Sequence, residues 1–193
     1  MVIKKIAVLF SGTGSNMEKI VKEVHKKTFN GTTLEIAVLI CNNPNAKGIE
    51  KAKKYGLETT IIDHTRFESR EDFDLVLVDT IKQSGAELTV LAGFMRILTP
   101  YFTKNIKAIN LHPSLLPLFK GAHAIEESFA SDMKVGGVTV HYVNEELDGG
   151  NIIAQKAFEK TDNMTLESFE ETIHSIEHTL LPQTIIKILT QKE

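Results

Sequence analysis

The sequence has little cysteine and no long apolar segment. Cys41 is the only cysteine among 193 residues, so no disulfide can form within the chain, and a reducing cytoplasm is the expected compartment. The N-terminal apolar run, 6–10, ends at Ser11. A signal-peptide core needs about 7–15 apolar residues, and a membrane span needs about 20. We therefore predict a soluble cytoplasmic protein.

An excess of basic residues is also missing. Lysine and arginine number 22 against 25 acidic residues, which gives a net charge of −3. A broad surface for nucleic acid or anionic lipid favours a basic excess. We therefore predict small-molecule partners, with no nucleic acid and no membrane, and the sequence leaves the oligomeric state open. The hydrophobic fraction of 42% and the length fit one globular domain.

Short apolar runs alternate with amphipathic stretches over the first 112 residues. The alternation of strand and helix predicts a mostly parallel α/β sheet with helices packed against it. The predicted strands are 6–10, 36–40, 59–62, 88–92 and 107–111, and the predicted helices are 16–28, 46–55, 68–84 and a short one after Pro100.

The pattern changes in the C-terminal part. Residues 136–143 and 151–158 read as two strands joined by a turn, which predicts an antiparallel addition to the sheet. A final helix is predicted over 165–190, with a kink at Pro182. We see no internal repeat or linker, so one domain is the simplest interpretation.

The stretch "SGTGSN" (11–16) lies between the first strand and the first helix. Gly12 and Gly14 allow close approach of a ligand to the backbone, and Ser15 and Asn16 place polar groups at the helix start. Free amides and the positive end of a helix bind anions. The motif lacks the third glycine of a dinucleotide site and the lysine of a P-loop, so it favours a phosphate monoester. A tight turn with a helix cap is the alternative.

Asn110 and His112 stand at the end of the last predicted parallel strand. Residues two apart project to the same side of a strand, and open α/β sheets bind ligands at the carboxyl ends of their strands. An amide can stabilise an oxyanion, and an imidazole can transfer a proton. Asp148, in the turn "ELDGG", could reach His112 and favour its protonated form. The alternative is a strand end and a turn that satisfy their polar groups locally.

The stretch "HSIEH" (174–178) matches a zinc-peptidase pattern. On a helix His174 and His178 would lie on one side, as two ligands should. No third ligand can be identified from the sequence, so we predict no metal here. A partly exposed helix face is the simpler interpretation.

Taken together, these motifs resemble a known family. The chain is similar, over essentially its whole length, to the phosphoribosylglycinamide (glycinamide ribonucleotide, GAR) formyltransferases of purine biosynthesis. The resemblance is carried, in the same order, by "SGTGSN", "LAGFMRIL", "NLHPSLLPLFKGAHA", "ELDGG" and "IEHTLLP".

The resemblance implies transfer of a formyl group from 10-formyltetrahydrofolate to the amine of GAR, with no metal. It implies one Rossmann-like formyltransferase domain over 1–193, with a nucleotide-binding half at about 1–105 and a folate-binding and catalytic half at about 106–193. The catalytic residues would be Asn110, His112 and Asp148. The residues that bind GAR would be Gly12, Thr13, Gly14, Ser15, Asn16 and Glu177, and those that bind folate would be Arg70, Met95, Arg96, Ile97, Leu98 and Asn110.

Two positions depart from the family pattern. Thr13 replaces an asparagine that is often found in the loop, and Asn151 replaces the proline of a common "GGPIIAQ". Neither position belongs to the catalytic set.

Four alternatives explain less of the sequence. Methionyl-tRNA formyltransferase and formyltetrahydrofolate deformylase share the Asn-x-His and Asp pattern, but each carries a further domain for which this chain has no room. A non-catalytic nucleotide-binding module would use the loop 11–16 and leave the other polar residues without a role. A zinc peptidase would explain five residues.

Overall fold

The computed structural model describes residues 2–191 and places eight strands of that range in a single sheet. The strands are β1 (Val2–Phe10), β2 (Lys27–Phe29), β3 (Thr32–Cys41), β4 (Thr59–Ile61), β5 (Leu88–Leu91), β6 (Ala108–His112), β7 (Val135–Tyr142) and β8 (Ile152–Glu159). The helices are α1 (Ser15–Glu23), α2 (Lys47–Lys54), α3 (Arg70–Ser84), α4 (Pro100–Asn105), α5 (Ala124–Ala130) and α6 (Leu166–Thr190), and a short 3-10 helix spans His64–Arg66.

The central strands of the sheet are parallel. The strand order is β2-β3-β1-β5-β6-β7-β8, and β4 pairs with the end of β3. Strand β1 runs parallel to both β3 and β5, and β6 is parallel to β5. Strands β7 and β8 are antiparallel additions, as predicted. Strand β3 lies on one side of β1, and β5 lies on the other. This change of direction places a ligand crevice at the carboxyl ends of the parallel strands.

Helices cover both faces of the sheet, which confirms the predicted fold class. One core contains Met17 of α1 and Phe169 of α6, and a second contains Phe73 of α3 and Phe102 of α4. In β6, Ile109 and Leu111 belong to the first core, whereas Ala108 belongs to the second. Because side chains alternate along a strand, Asn110 and His112 point to the face that carries α3 and α4.

The structure corrects the prediction in two places. The predicted helix 16–28 ends at Glu23, and Lys27–Phe29 instead forms β2, which pairs with β3. Asn30 and Gly31 take positive φ angles of 50° and 81° and make the tight turn between β2 and β3, and the prediction overlooked this Asn-Gly signal of a hairpin. Helix α5 was not predicted. Helix α6 continues through Pro182, and no helix within residues 2–191 has both the length and the apolar character that crossing a membrane requires.

Backbone packing fixes the loop that follows β1. Gly14 precedes α1 with a positive φ of 68°. A Cβ atom on Gly48 of α2 would lie 2.6 Å from the Phe10 ring and 3.1 Å from the Cα of Gly14. The Gly48 N–H also donates to the Gly12 carbonyl oxygen at 3.0 Å. The loop 11–16 is therefore held between β1 and α2, with no space for a side chain at this contact.

We predict that Gly48→Ala destabilises the protein, because the added methyl group overpacks the contact with Phe10 and Gly14. Overpacking costs about 1–3 kcal/mol, measured as the free energy of unfolding in urea. Gly12→Ala is the matched control, since a Cβ there meets nothing within 4 Å, and surface changes usually stay within about 0.5 kcal/mol. Equal stability of the two variants would contradict the packing role of Gly48.

Candidate active site

The pairing of β6 with β7 builds the floor of the candidate site. Asn110 lies opposite His141, and His112 lies opposite Thr139. Directly opposed residues of antiparallel strands project to the same face, so these four polar side chains share one surface. His141 was not predicted from the sequence. The signal was present, because Thr139 and His141 alternate with apolar residues in a strand that could pair with β6.

Asp148 reaches this surface from the turn between β7 and β8. Strand β7 ends opposite Ile109, near the start of β6, so the turn must fold back along the sheet face to reach the end of β6. Asp148 itself has a positive φ of 50°. A Cβ atom on Gly150 would overlap the carbonyl oxygen of Tyr142. A glycine is therefore required where the turn packs on the end of β7.

The predicted contact between Asp148 and His112 is present. The Oδ2 of Asp148 lies 3.4 Å from the Nδ1 of His112, and its Oδ1 lies 3.6 Å from the Nε2 of His141. The backbone N–H of Gly121 donates to Oδ2 at 2.9 Å, and the amide of Asn110 donates to Oδ1 at 3.4 Å. One carboxylate is therefore surrounded by two imidazoles and two N–H donors.

Backbone carbonyls fix the proton on the far nitrogen of each ring. His112 Nε2 lies 2.8 Å from the carbonyl oxygen of Phe119, and His141 Nδ1 lies 2.8 Å from that of Tyr142. A carbonyl oxygen only accepts, so these nitrogens carry hydrogen. The Nδ1 of His112 faces the acceptor-only carboxylate of Asp148, whereas the Nε2 of His141 also accepts the amide N–H of Asn110 at 3.2 Å.

The same contacts govern the ionisation of Asp148. Burial alone would raise the pKa of this carboxyl. The close contact with His141, the Gly121 N–H and the charges of His112 and His141 act in the opposite direction, and they hold the pKa of Asp148 below its usual value. Asp148 is therefore a carboxylate at neutral pH and can balance a cationic imidazole.

The loop 11–16 presents free backbone donors at the start of α1. No side chain of the described residues caps this helix at Gly14, so its first N–H groups are available to an anion. Asn16 donates to Oε2 of Glu177 at 3.0 Å, which brings the predicted Glu177 to the loop. The Oδ1 of Asn16 is buried and lacks a hydrogen-bond partner among residues 2–191. Thr13 is exposed beside it.

The "HSIEH" stretch forms part of this corner. His174 Nδ1 lies 3.0 Å from Oε2 of Glu177, and this hydrogen bond raises the pKa of His174. His178 lies near Lys19, and burial lowers its pKa, with the positive charge of Lys19 acting in the same direction. In the described part of the chain, no three acidic, histidine or cysteine side chains converge as metal ligands would.

The predicted folate segment lies next to the loop 11–16. Ser11 donates its N–H to the carbonyl of Gly93 at 3.0 Å and accepts from the N–H of Met95 at 2.8 Å. Met95 and Ile97 are 75% and 59% exposed, with Leu98 partly buried after them. Such exposed apolar side chains suit a ligand with a large flat apolar surface.

The two predicted arginines behave differently from each other. The Arg96 guanidinium lies 5.6 Å from the centre of the Phe73 ring, so the side chain packs on α3. Arg70 is exposed at the first position of α3 and forms none of the side-chain hydrogen bonds or ion pairs found within residues 2–191. The structure does not connect Arg70 to the other predicted residues.

With this geometry established, comparison with known proteins decides the family. The model of the formyl transferase family matches residues 4–185. The chain belongs to the formyl transferase family.

Individual formyl transferases cover nearly all of the chain. Phosphoribosylglycinamide formyltransferase of Bacillus subtilis is 38% identical over 189 residues, which cover 97% of this chain and 95% of that protein. The crystal structure of phosphoribosylglycinamide formyltransferase from Campylobacter jejuni has 65% identity and a TM-score of 0.95, covering 97% of this chain and 98% of that one. These matches confirm the resemblance that the motifs predicted.

A longer relative contains the same unit. The trifunctional purine biosynthetic protein adenosine-3 of Gallus gallus is 39% identical over 183 residues, which cover 94% of this chain and 18% of that protein. The formyl transferase fold therefore also occurs as one part of a much larger polypeptide.

We predict that Asp148 stabilises this formyl transferase in a pH-dependent manner. Its folded-state pKa is lowered, so its contribution is fully present above the unfolded value of about 3.9 and is lost as the pH falls through the lower folded value. The difference in unfolding free energy between wild type and Asp148→Asn should shrink as the pH falls below about 4. A difference that does not depend on pH would contradict the carboxylate's role. Chemical denaturation at a series of pH values provides the measurement.

Proposed function

We propose that the protein transfers the formyl group of 10-formyltetrahydrofolate to the amino group of GAR, giving formyl-GAR and tetrahydrofolate in de novo purine biosynthesis. One observation carries the proposal. This chain is a formyl transferase, and its Asn110, His112 and Asp148 form one cluster. The cluster lies at the edge of the sheet where the loop 11–16, called the anion loop from here on, meets the exposed segment 93–98. The proposal includes a cytoplasmic location and small-molecule partners only.

The chemistry begins with the neutral amine of GAR, which attacks the formyl carbon. Negative charge develops on the formyl oxygen and is stabilised by hydrogen bonds from the amide of Asn110 and from protonated His112. Asp148 stabilises the imidazolium. The attacking amine loses a proton, N10 of the folate gains one, and the bond between the formyl carbon and N10 breaks. Asp148 assists this proton transfer, directly or through water.

When the substrates bind, one hydrogen bond of Asn110 and one of His112 must be replaced by hydrogen bonds to the formyl oxygen. Asn110 donates to His141 at 3.2 Å and to Asp148 at 3.4 Å, and His112 donates to the Phe119 carbonyl. The longer Asn110 bond is the weaker one, so it yields to the formyl oxygen. The Ser114 hydroxyl donates to the Leu118 carbonyl at 2.7 Å and lies 3.2 Å from the Phe119 carbonyl, so it can share its hydrogen with Phe119 when His112 turns to the substrate.

The GAR site is proposed at the corner between α1 and α6. The phosphate, which only accepts hydrogen bonds, fits the backbone N–H groups of Gly14, Ser15 and Asn16. The unpaired Oδ1 of Asn16 and the carboxylate of Glu177 accept hydrogen bonds. They therefore fit the donors of GAR, which are its ribose hydroxyls, its amide N–H and its amine.

The folate site is proposed along segment 95–98, mainly through its backbone. Arg70 remains part of the proposal as a residue that contacts the folate from the exposed end of α3. We also keep the two functional halves as a proposal, 1–105 for the nucleotide and 106–193 for folate and catalysis. Segment 95–98 lies in the nucleotide half but would contact folate, and Glu177 lies in the folate half but would contact GAR.

The direct test is to incubate the purified protein with GAR and 10-formyltetrahydrofolate and to detect formyl-GAR by mass spectrometry. Treatment with a strong chelator should leave the rate unchanged, because the proposed steps use only protein side chains. Formate in place of formyl-GAR would indicate deformylase activity, and the absence of any product would refute the assignment.

We predict that Asp148→Asn lowers the turnover number by about 10²–10⁴, the usual cost of losing positioned proton transfer. The KM for GAR should change little. A rate loss below about tenfold would reduce Asp148 to a turn residue.

We predict that Glu177→Gln weakens GAR binding by about tenfold or more, because a hydrogen bond to a charged group contributes about 1.5–3 kcal/mol. The KM for 10-formyltetrahydrofolate should stay within about twofold, since Glu177 contacts the anion loop. Glu171→Gln, at an exposed position on the same helix, is the matched control. Calorimetric titration with GAR measures the effect, and equal affinities of the two variants would remove Glu177 from the site.

A further inference from the structure

Asp74 is a buried carboxylate that the proposed chemistry does not use. It lies on α3 and is 1% exposed. Its Oδ2 accepts the backbone N–H of Thr99 at 2.6 Å. Among residues 2–191 it has no ion-pair partner within 4.0 Å. Burial raises the pKa of this carboxyl, and the Thr99 N–H and the positive charge of Arg96 oppose that effect.

Thr99 ends the segment that leads from β5 to α4. The start of this segment is tied to Ser11 through Gly93 and Met95, and Asp74 ties its end. The exposed residues Met95 and Ile97 lie between these two attachments. The backbone that would contact the folate is therefore held at both ends while its outer side chains remain free.

The neighbour of Asp74 on α3 contacts the same segment. The Phe73 ring stacks on Phe94 at 6.4 Å and also supports the Arg96 guanidinium at 5.6 Å. Two consecutive residues of α3 thus contact three positions of the segment, Phe94, Arg96 and Thr99. Helix α3 acts as the support on which the segment 94–99 rests.

The choice of a carboxylate here needs a reason. A buried ionised group without an ion pair destabilises a fold, and a neutral amide could accept the same N–H. A carboxylate accepts a shorter and stronger hydrogen bond than a neutral group does, and the contact here is 2.6 Å. Stronger attachment limits the motion of the backbone at Thr99, which is useful if 95–98 must be positioned for a ligand.

We propose that Asp74 is a positioning residue for the folate co-substrate. By holding the Thr99 N–H, it keeps the backbone of 95–98 in the conformation that binds the folate. This inference rests on the proposed folate role of that segment, and it gives α3, which also carries Arg70, a part in co-substrate affinity that acts through the backbone of 95–98.

The test compares Asp74→Ala and Asp74→Asn with Asp79→Ala, an exposed aspartate on the same helix. For each protein the KM for both substrates, the turnover number and the thermal midpoint are measured, and tetrahydrofolate binding is followed by calorimetry. Asp74→Ala should raise the KM for 10-formyltetrahydrofolate about tenfold or more and leave the KM for GAR within about twofold. Asp74→Asn keeps an acceptor oxygen and should raise the folate KM by only about threefold.

A structural role alone gives a different result. If both Asp74 variants lower the thermal midpoint while the two KM values stay unchanged or rise in parallel, the positioning role is wrong. Should Asp74→Ala fail to fold, Asp74→Asn decides: an unchanged ratio of the two KM values overturns the inference. Failure of the proposed function is separate, since it appears in the wild type as absent formyl transfer and absent tetrahydrofolate binding.

Discussion

The candidate site depends on one buried carboxylate. Asp148 faces two imidazoles, accepts a backbone N–H from Gly121 and receives the amide of Asn110. Loss of the carboxylate would leave these N–H donors without their acceptor. The site is largely buried, and unsatisfied buried donors cost free energy. The positive φ of Asp148 and the close packing of Gly150 are the backbone conditions for this contact. The turn between β7 and β8 therefore shapes the candidate site as much as β6 does.

Parallel strand order brings the other elements to the same edge. Strands β1, β5 and β6 run in one direction, so the residues that follow them meet where the order of the sheet changes. Ser11 bonds the first of these connections to the second through Gly93 and Met95. These contacts bring the loop 11–16, the exposed apolar segment 93–98 and the cluster of Asn110, His112 and Asp148 together at one edge of a single sheet.

The sequence predicts local features well and long-range contacts poorly. Alternation within β6 was sufficient to place Asn110 and His112 on one side, because strand geometry has a period of two. The contact with Asp148 could be suggested only as a possibility, since the fold-back of the turn depends on the register of β7 against β6. His141 was missed for the same reason: its importance comes from the strand opposite it. Strand β2 was missed although Asn30-Gly31 is a hairpin signal, because its three residues are too few to show a strand pattern.

The close packing of Gly14 on Gly48 has a consequence for affinity. A flexible loop that closes around a phosphate must lose conformational entropy on binding, and that loss subtracts from the interaction energy. Here helix α2 and Phe10 restrict the loop already in the folded protein. The conformational entropy of the loop is therefore lost when the protein folds, and the packing of the whole core offsets that loss. Binding of the proposed phosphate would then cost the loop little further conformational entropy.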